Sequence, residues 1–93
     1  MQFNVYSVHD LKASAFLPPF FMANDAMACR IFTECARDSK HQFGKWPGDY
    51  ILYRIGTFDD LLGFVQGLAV PVSLGLASTF LSLENSQEFD HEN

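Results

Sequence analysis

The chain has 93 residues, which is enough for one small domain and too few for two. A chain of this length buries only about 60–65% of the surface that it exposes when unfolded, so an independent metabolic enzyme with a deep active site is disfavoured. Its residues are 48% hydrophobic and 18% charged, which excludes a highly charged disordered chain. The formal net charge of −5 excludes a strongly basic nucleic-acid-binding domain, as judged from total charge.

Charge is unevenly distributed along the chain. Residues 84–93 hold four acidic residues and no lysine or arginine, whereas the segment from Arg30 to Arg54 holds five basic residues against three acidic ones. The molecule is therefore polarised, with a mildly basic middle and an acidic C-terminal tail.

The first half of the chain predicts two extended segments and one helix. Residues 3–8 are rich in Val, Tyr and Phe and predict a strand. Residues 15–22 contain Pro18 and Pro19, which exclude a helix interior and place this extended segment at a sheet edge. Asn24 is a favourable N-cap, and apolar residues spaced three and four apart from Ala28 to Ala36 predict an amphipathic helix over about 24–38.

The second half predicts a loop, a hairpin and a tail. Residues 39–49 contain two glycines and Pro47, which are typical of a loop. Residues 50–58 predict a strand that turns at Asp59 and Asp60 into a hairpin with residues 63–70, and residues 71–83 fit either a strand or a short helix.

The order ββαβββ predicts an α+β fold. We expect a small single domain, residues 1–83, in which one amphipathic helix packs on a small antiparallel sheet. Residues 84–93 are expected to form a frayed, disordered acidic tail.

Residues 61–83 form an uncharged run of 23 residues, long enough as a helix to cross a bilayer. However, Pro71 lies near its centre, Gln66 and three glycines interrupt it, and no cluster of Lys or Arg flanks it. We therefore expect buried strands or turns here, and a membrane or lysis peptide is a minor alternative.

The sequence contains no convincing catalytic or metal-binding constellation. His9, His41 and His91 are far apart, and no cysteine–histidine spacing matches a zinc site. Cys29 and Cys35 are six residues apart on the predicted helix and point to different sides, so small buried thiols are expected rather than a disulfide or a nucleophile. We accordingly expect no enzymatic activity, no metal and no cofactor.

A basic and aromatic cluster lies in the predicted loop, with two arginines beside it. The candidate nucleic-acid-binding residues are Arg37, Lys40, His41, Phe43, Lys45, Trp46 and Arg54. Single-stranded nucleic acid is bound by this mixture, because cations contact phosphates while aromatic rings stack on bases. The alternative is that Phe43 and Trp46 cap the core and that the lysines are ordinary solvated charges.

Two stretches hold several rare residues at fixed offsets: Pro19–Asn24, PFFMAN, and Pro47–Asp59, PGDYILYRIGTFD. Shorter matches include Ala28, Arg30, Phe32, Asp38, Lys45, Trp46 and Ser73–Gly75. Together they resemble the small nonstructural protein of the gokushovirus-type microviruses, which are tiny phages with circular single-stranded DNA. The resemblance covers about residues 1–80 and leaves out the tail.

The resemblance implies a nonstructural protein in the host cytoplasm of an infected bacterium, absent from the mature virion or minor in it. It implies binding to single-stranded DNA when genome synthesis switches to single strands that are packaged into the procapsid. The net charge of −5 departs from this expectation, because a nonspecific DNA binder is ordinarily basic. Binding by a monomer should therefore be weak, and we expect a homodimer or higher oligomer, formed through a strand edge or through residues 61–83.

The alternative function is a protein-interaction factor that bridges the replication initiator or the host polymerase to the procapsid without contacting DNA. The net acidity and the apolar residues 61–83 favour this alternative. Replacing Lys40 and Lys45 with alanine separates the two functions, because DNA binding falls under the first while partner binding survives under the second.

Overall fold

Five antiparallel strands and three α-helices make up the part of the protein that a computed structural model describes, residues 1–92 with the side chains of residues 1–84. In chain order the elements are β1 (Gln2–Asp10), β2 (Ala15–Phe16), β3 (Phe20–Met22), α1 (Asp25–Arg37), α2 (Gln42–Lys45), a short 3-10 helix (Pro47–Asp49), β4 (Tyr50–Asp59), β5 (Phe64–Leu76) and α3 (Ala77–Glu92).

The strands form one sheet with the order β2-β1-β4-β5, and β3 also pairs with β1. Strand β1 therefore lies in the interior, with β2 and β3 along one side and β4 along the other. Strand β5 pairs with β4 only and forms one edge of the sheet. The hairpin predicted at Asp59 is confirmed: its carboxylate accepts hydrogen bonds from the N–H groups of Leu61 and Leu62, and Gly63 has a φ of 64°.

The predicted α+β fold class is confirmed, but the predicted element order ββαβββ is wrong in detail. The extended segment 15–22 is divided into β2 and β3, since Pro18 and Pro19 lack the N–H groups that a continuous strand would donate to β1. Only two strands follow α1, because residues 71–76 continue β5 instead of forming a separate strand. The single predicted helix is joined by α2, within the predicted loop, and by α3, which begins in the segment 71–83 that fits either a strand or a short helix.

Strand β5 contains Pro71 because it is an edge strand whose outer N–H groups need no partner in the sheet. Its register with β4 also shifts there: Arg54 lies opposite Val72, but Gly56, two residues on, lies opposite Gly67. The intervening residues of β5 bulge away from β4. The expected burial of this segment is wrong for residues 61–73, which are exposed because they form the hairpin turn and most of the edge strand.

Helix α3 begins at Ala77, which is fully buried, and continues to Glu92. The segment 84–93, expected to be a frayed tail, begins within α3. The side chains of its residues beyond Glu84 lie outside the described part of the structure. The division into a domain, 1–83, and a tail, 84–93, stays a prediction. Within the described residues, no helix has the length and apolar character needed to cross a membrane.

The core lies between α1 and one face of the sheet. Asn24 caps α1 by accepting a hydrogen bond from the N–H of Met27, as predicted. Ala28, Phe32 and Ala36 are buried on the predicted stripe and pack against β1 and β4. These contacts fix the C-terminal end of α1, from which the candidate loop departs.

Candidate nucleic-acid interface

The segment after α1 is built from consecutive turns rather than from a flexible loop. The carboxylate of Asp38 accepts a hydrogen bond from the N–H of Lys40 at 2.9 Å. The Nδ1 atom of His41 accepts from the N–H of Phe43 at 3.0 Å and so caps α2. His41 therefore has a structural role as the cap of α2.

Phe43 is buried, and this corrects its predicted role in base stacking. The first turn of α2 directs its ring inward, where it lies 4.7 Å from the ring of Tyr50 and 5.2 Å from that of Phe32, between centroids. A base cannot reach a ring in this position. The alternative reading, in which Phe43 caps the core, is the correct one for this residue.

Trp46 has the opposite environment, because 61% of its surface is exposed. Its backbone is held on both sides, since its N–H donates to the carbonyl of Gln42 and its carbonyl accepts from the N–H of Asp49. The indole is therefore presented to solvent from a fixed backbone. The alternative in which Trp46 caps the core is wrong.

An open groove of about 560 Å³ lies beside Trp46. Its other lining residues are Asp10, Lys12, Asp49 and Tyr50. The turn after β1 is bound to this loop, because the N–H of Leu11 donates to the carbonyl of Asp49 at 2.8 Å. Lys12 therefore joins the candidate surface, although it lies more than thirty residues from Trp46 in the sequence.

Arg54 does not belong to this surface, contrary to the prediction. Its guanidinium donates to the carboxylate of Asp25, which begins α1. Because α1 has 13 residues and rises about 1.5 Å per residue, Asp25 is roughly 20 Å from the loop that follows the other end of the helix. The alternation of side chains along β4 places Arg54 on the face that contacts α1. It contacts the N-terminal end of α1, whereas the candidate loop follows the C-terminal end.

Arg37 lies near the loop, but it is engaged by an acidic residue. Its Nε atom lies 3.4 Å from a carboxylate oxygen of Glu84 in α3. The pair is partly exposed, so its stabilising effect is small, but it offsets the positive charge that Arg37 would offer to DNA.

Three lysines remain as exposed cations: Lys12, which lines the groove with Trp46, and Lys40 and Lys45, which lie in the same loop as Trp46. Among the described side chains, none of the three forms an ion pair. The groove also contains the carboxylates of Asp10 and Asp49. Phosphates would be bound by Lys12 and by the loop lysines, whereas the carboxylates can accept hydrogen bonds from base amino groups.

The two cysteines do not form a reactive site in the described residues. Cys29 and Cys35 are free and half-buried, and burial raises the pKa of both thiols. A raised pKa lowers the fraction of nucleophilic thiolate. Likewise, no group of histidine, cysteine and carboxylate side chains with metal-binding proximity occurs in the part that the structure describes.

Comparison with known proteins identifies a family. The family model described as Phage ORF5 protein matches residues 3–80. No curated protein and no solved structure matches the chain. The matched range contains the whole candidate surface, whose residues lie between Asp10 and Tyr50, and ends within α3.

Proposed function

We propose that this chain, which belongs to the Phage ORF5 protein family, binds single-stranded DNA during replication and packaging of a phage genome. One observation carries the proposal: Trp46, which is 61% exposed on a fixed backbone, shares a groove with the exposed Lys12. Lys40 and Lys45, in the same loop as Trp46, are exposed as well, and none of the three lysines forms an ion pair among the described side chains. Aromatic rings bind single strands by stacking on bases, and lysines bind the phosphates between those bases.

The resemblance of the sequence motifs to the small nonstructural protein of gokushovirus-type microviruses supports a more specific setting. The protein would be nonstructural, acting in the cytoplasm of the infected bacterium on single strands that are about to enter the procapsid. The procapsid protein or the replication initiator would be its protein partner there. A family match to a phage protein is consistent with this setting.

The proposed site explains how an acidic protein can bind DNA. Three phosphate contacts predict a slope of about −2 for the logarithm of the binding constant against the logarithm of the salt concentration. Binding of this kind is weak for one chain and becomes useful when several chains bind neighbouring segments of one strand.

The experiment uses the fluorescence of Trp46, the single tryptophan. The full chain is titrated with an unstructured thymidine oligonucleotide at low salt and then at several higher salt concentrations. We expect saturable quenching that weakens with salt. Two variants that lack the tryptophan are measured by the anisotropy of a labelled oligonucleotide instead. Trp46→Leu should lower the affinity by roughly 5- to 150-fold, corresponding to one stacked base, and Trp46→Phe should retain most of it.

Unchanged Trp46 emission, together with flat anisotropy of a labelled oligonucleotide, would overturn the proposal. The alternative function would then lead, namely a protein-interaction factor that bridges the replication machinery and the procapsid. The observation in its favour is the apolar edge strand, where Val70 is 74% exposed. Apolar residues this exposed on a strand edge favour contact with another protein.

A further inference from the structure

The sheet has a second face that the core does not use, which we call the open face. Side chains alternate along a strand, so residues that neighbour the core residues Tyr6, Val8 and Leu52 in sequence point away from the helices. The buried contacts of α1 and α3 are with the Tyr6, Val8 and Leu52 face. The open face is therefore left without a packed helix among the described residues.

Aromatic side chains form two clusters on the open face. In the first, the ring of Phe58 lies 5.5 Å from that of Phe21 and 6.4 Å from that of Phe3, between centroids. In the second, the ring of Phe16 lies 4.7 Å from that of His9 and 5.4 Å from that of Tyr53. The neighbouring edge strand adds Val65, opposite Phe58.

Three of these side chains are substantially exposed although they are apolar. Phe16 is 49% exposed, Phe21 47% and Val65 56%. The open face is four strands wide, with neighbouring strands about 4.8 Å apart. Its length is that of β1 and β4, which have nine and ten residues at about 3.4 Å per residue. The area of the face is therefore roughly 600 Å². A stable protein–protein interface buries about 800 Å² on each partner, and weaker ones bury about 600 Å².

The open face differs from the rest of the surface in its charge. The described residues that alternate onto it from β1, β4 and β5 include no lysine, arginine, aspartate or glutamate. A DNA strand would find no cation for its phosphates there. A second copy of this chain, which has a net charge of −5, would be repelled over much of its surface but not across this face.

We propose that the open face is covered by the open face of a second copy, in a two-fold symmetric dimer. Each aromatic cluster packs against the partner's sheet, and Val65 at the edge closes the contact. The groove beside Trp46 lies on the other side of the sheet from the open face. Its residues Asp10 and Tyr50 are paired at one end of β1 and β4, on the side that faces the core. The dimer therefore leaves both grooves free and can bind two segments of one strand.

The test is the molar mass of the full chain without DNA, measured by sedimentation equilibrium from about 1 to 500 μM. We expect a reversible transition from monomer to dimer, centred in the micromolar range, as an interface near the lower size limit implies. Because no DNA is present, this result is independent of the proposed DNA binding.

Two variants locate the interface. Phe21→Glu and Val65→Glu each place a charge on the open face and should abolish the dimer across the whole concentration range. Met27→Glu is the matched control, because Met27 is also 47% exposed but lies on α1. It should leave the dimer unchanged. Circular dichroism verifies that each variant is folded, and Val65→Glu serves if Phe21→Glu does not fold.

Two results would overturn the proposal. The first is a wild-type chain that remains monomeric throughout the range or that forms only open-ended larger species, since a two-fold contact closes at two copies. The second is a dimer that persists in the folded variants with a charge on the open face.

Discussion

Arg54 and Asp25 form an ion pair at the N-terminal end of α1, and the hydroxyl of Tyr6 donates to the same carboxylate at 2.7 Å. The pair joins β4 to the first turn of α1, where a carboxylate also complements the helix dipole. Its location explains why a cation that the sequence predicts to bind DNA is part of the framework instead.

The first prediction follows from this pair. Arg54→Ala should lower the free energy of unfolding by about 1–2 kcal/mol, because a half-exposed carboxylate loses a charged donor. It should leave the affinity for an oligonucleotide within about twofold of the wild type, since Arg54 is remote from Trp46. Urea unfolding and anisotropy titration measure the two quantities. An affinity loss without a loss of stability would return Arg54 to the binding surface.

The second prediction concerns the same cluster at high pH. The pKa of Tyr6 is raised to about 12, mainly because the hydroxyl is buried and secondly because it donates a hydrogen bond to Asp25. An unfolded tyrosine loses its proton near pH 10, so the stabilising contribution of Tyr6 is complete below pH 10 and is lost as the pH rises toward 12. The urea midpoint should therefore fall between pH 10 and 12.

Tyr6→Phe is the matched variant for this measurement. It should be less stable at neutral pH, because the Asp25 carboxylate loses a donor, but its stability should fall less steeply above pH 10. Burial also raises the pKa of Tyr50, which is retained in the variant, so the difference between the two proteins isolates Tyr6. Parallel pH profiles for the two proteins would contradict the assignment.

The sequence predicts those parts of the fold that local patterns determine. The Asn24 cap and the apolar stripe identify α1, and the paired aspartates identify the hairpin turn. The start of α3 stays open between a strand and a short helix, because the segment that follows Gly75 alternates small and apolar residues without a clear period. Its continuation to Glu92 falls where the sequence predicts a tail.

The candidate site is predicted only in part, for a similar reason. The loop and the exposed Trp46 are local features, whereas Lys12 arrives through a hydrogen bond between Leu11 and Asp49 that no sequence spacing reveals. Phe43 lies in α2 between the exposed residues Gln42 and Lys45. Only the orientation of α2 against the core decides that the ring of Phe43 is buried.

The third prediction tests two of the three lysines individually. Lys12→Ala and Lys45→Ala should each weaken oligonucleotide binding by about three- to tenfold at low salt and reduce the magnitude of the salt slope by about 0.7. Arg30→Ala is the matched control, because it also removes one positive charge from an exposed position, on α1. Equal losses in all three variants would indicate a net-charge effect rather than a site near Trp46.

The fourth prediction concerns the acidic C-terminal segment. Removing residues 84–93 deletes four acidic residues and frees Arg37 from Glu84, so DNA binding should tighten. Glu84→Gln isolates the second effect and should tighten binding about two- to threefold at low salt, with no change at high salt. Unchanged affinity in the truncated chain would show that the acidic segment does not compete with DNA.

The fifth prediction tests whether the backbone of the loop must hold its shape for Trp46 to bind. A Cβ atom added at Gly44 would lie 1.9 Å from the carbonyl oxygen of Asp38, whereas one added at Gly48 would meet nothing within 4 Å. Gly44→Ala must therefore displace the backbone between α1 and α2. It should lower the free energy of unfolding by about 1–3 kcal/mol, as overpacking against an atom that cannot move does, while Gly48→Ala should be close to neutral.

Because α2 fixes the position of Trp46 through the bond to Gln42, folded Gly44→Ala should also bind the oligonucleotide more weakly than Gly48→Ala. Equal stability and equal Trp46 quenching in the two variants would mean that the loop adapts freely, and that the indole is not held in place by the turns that precede it.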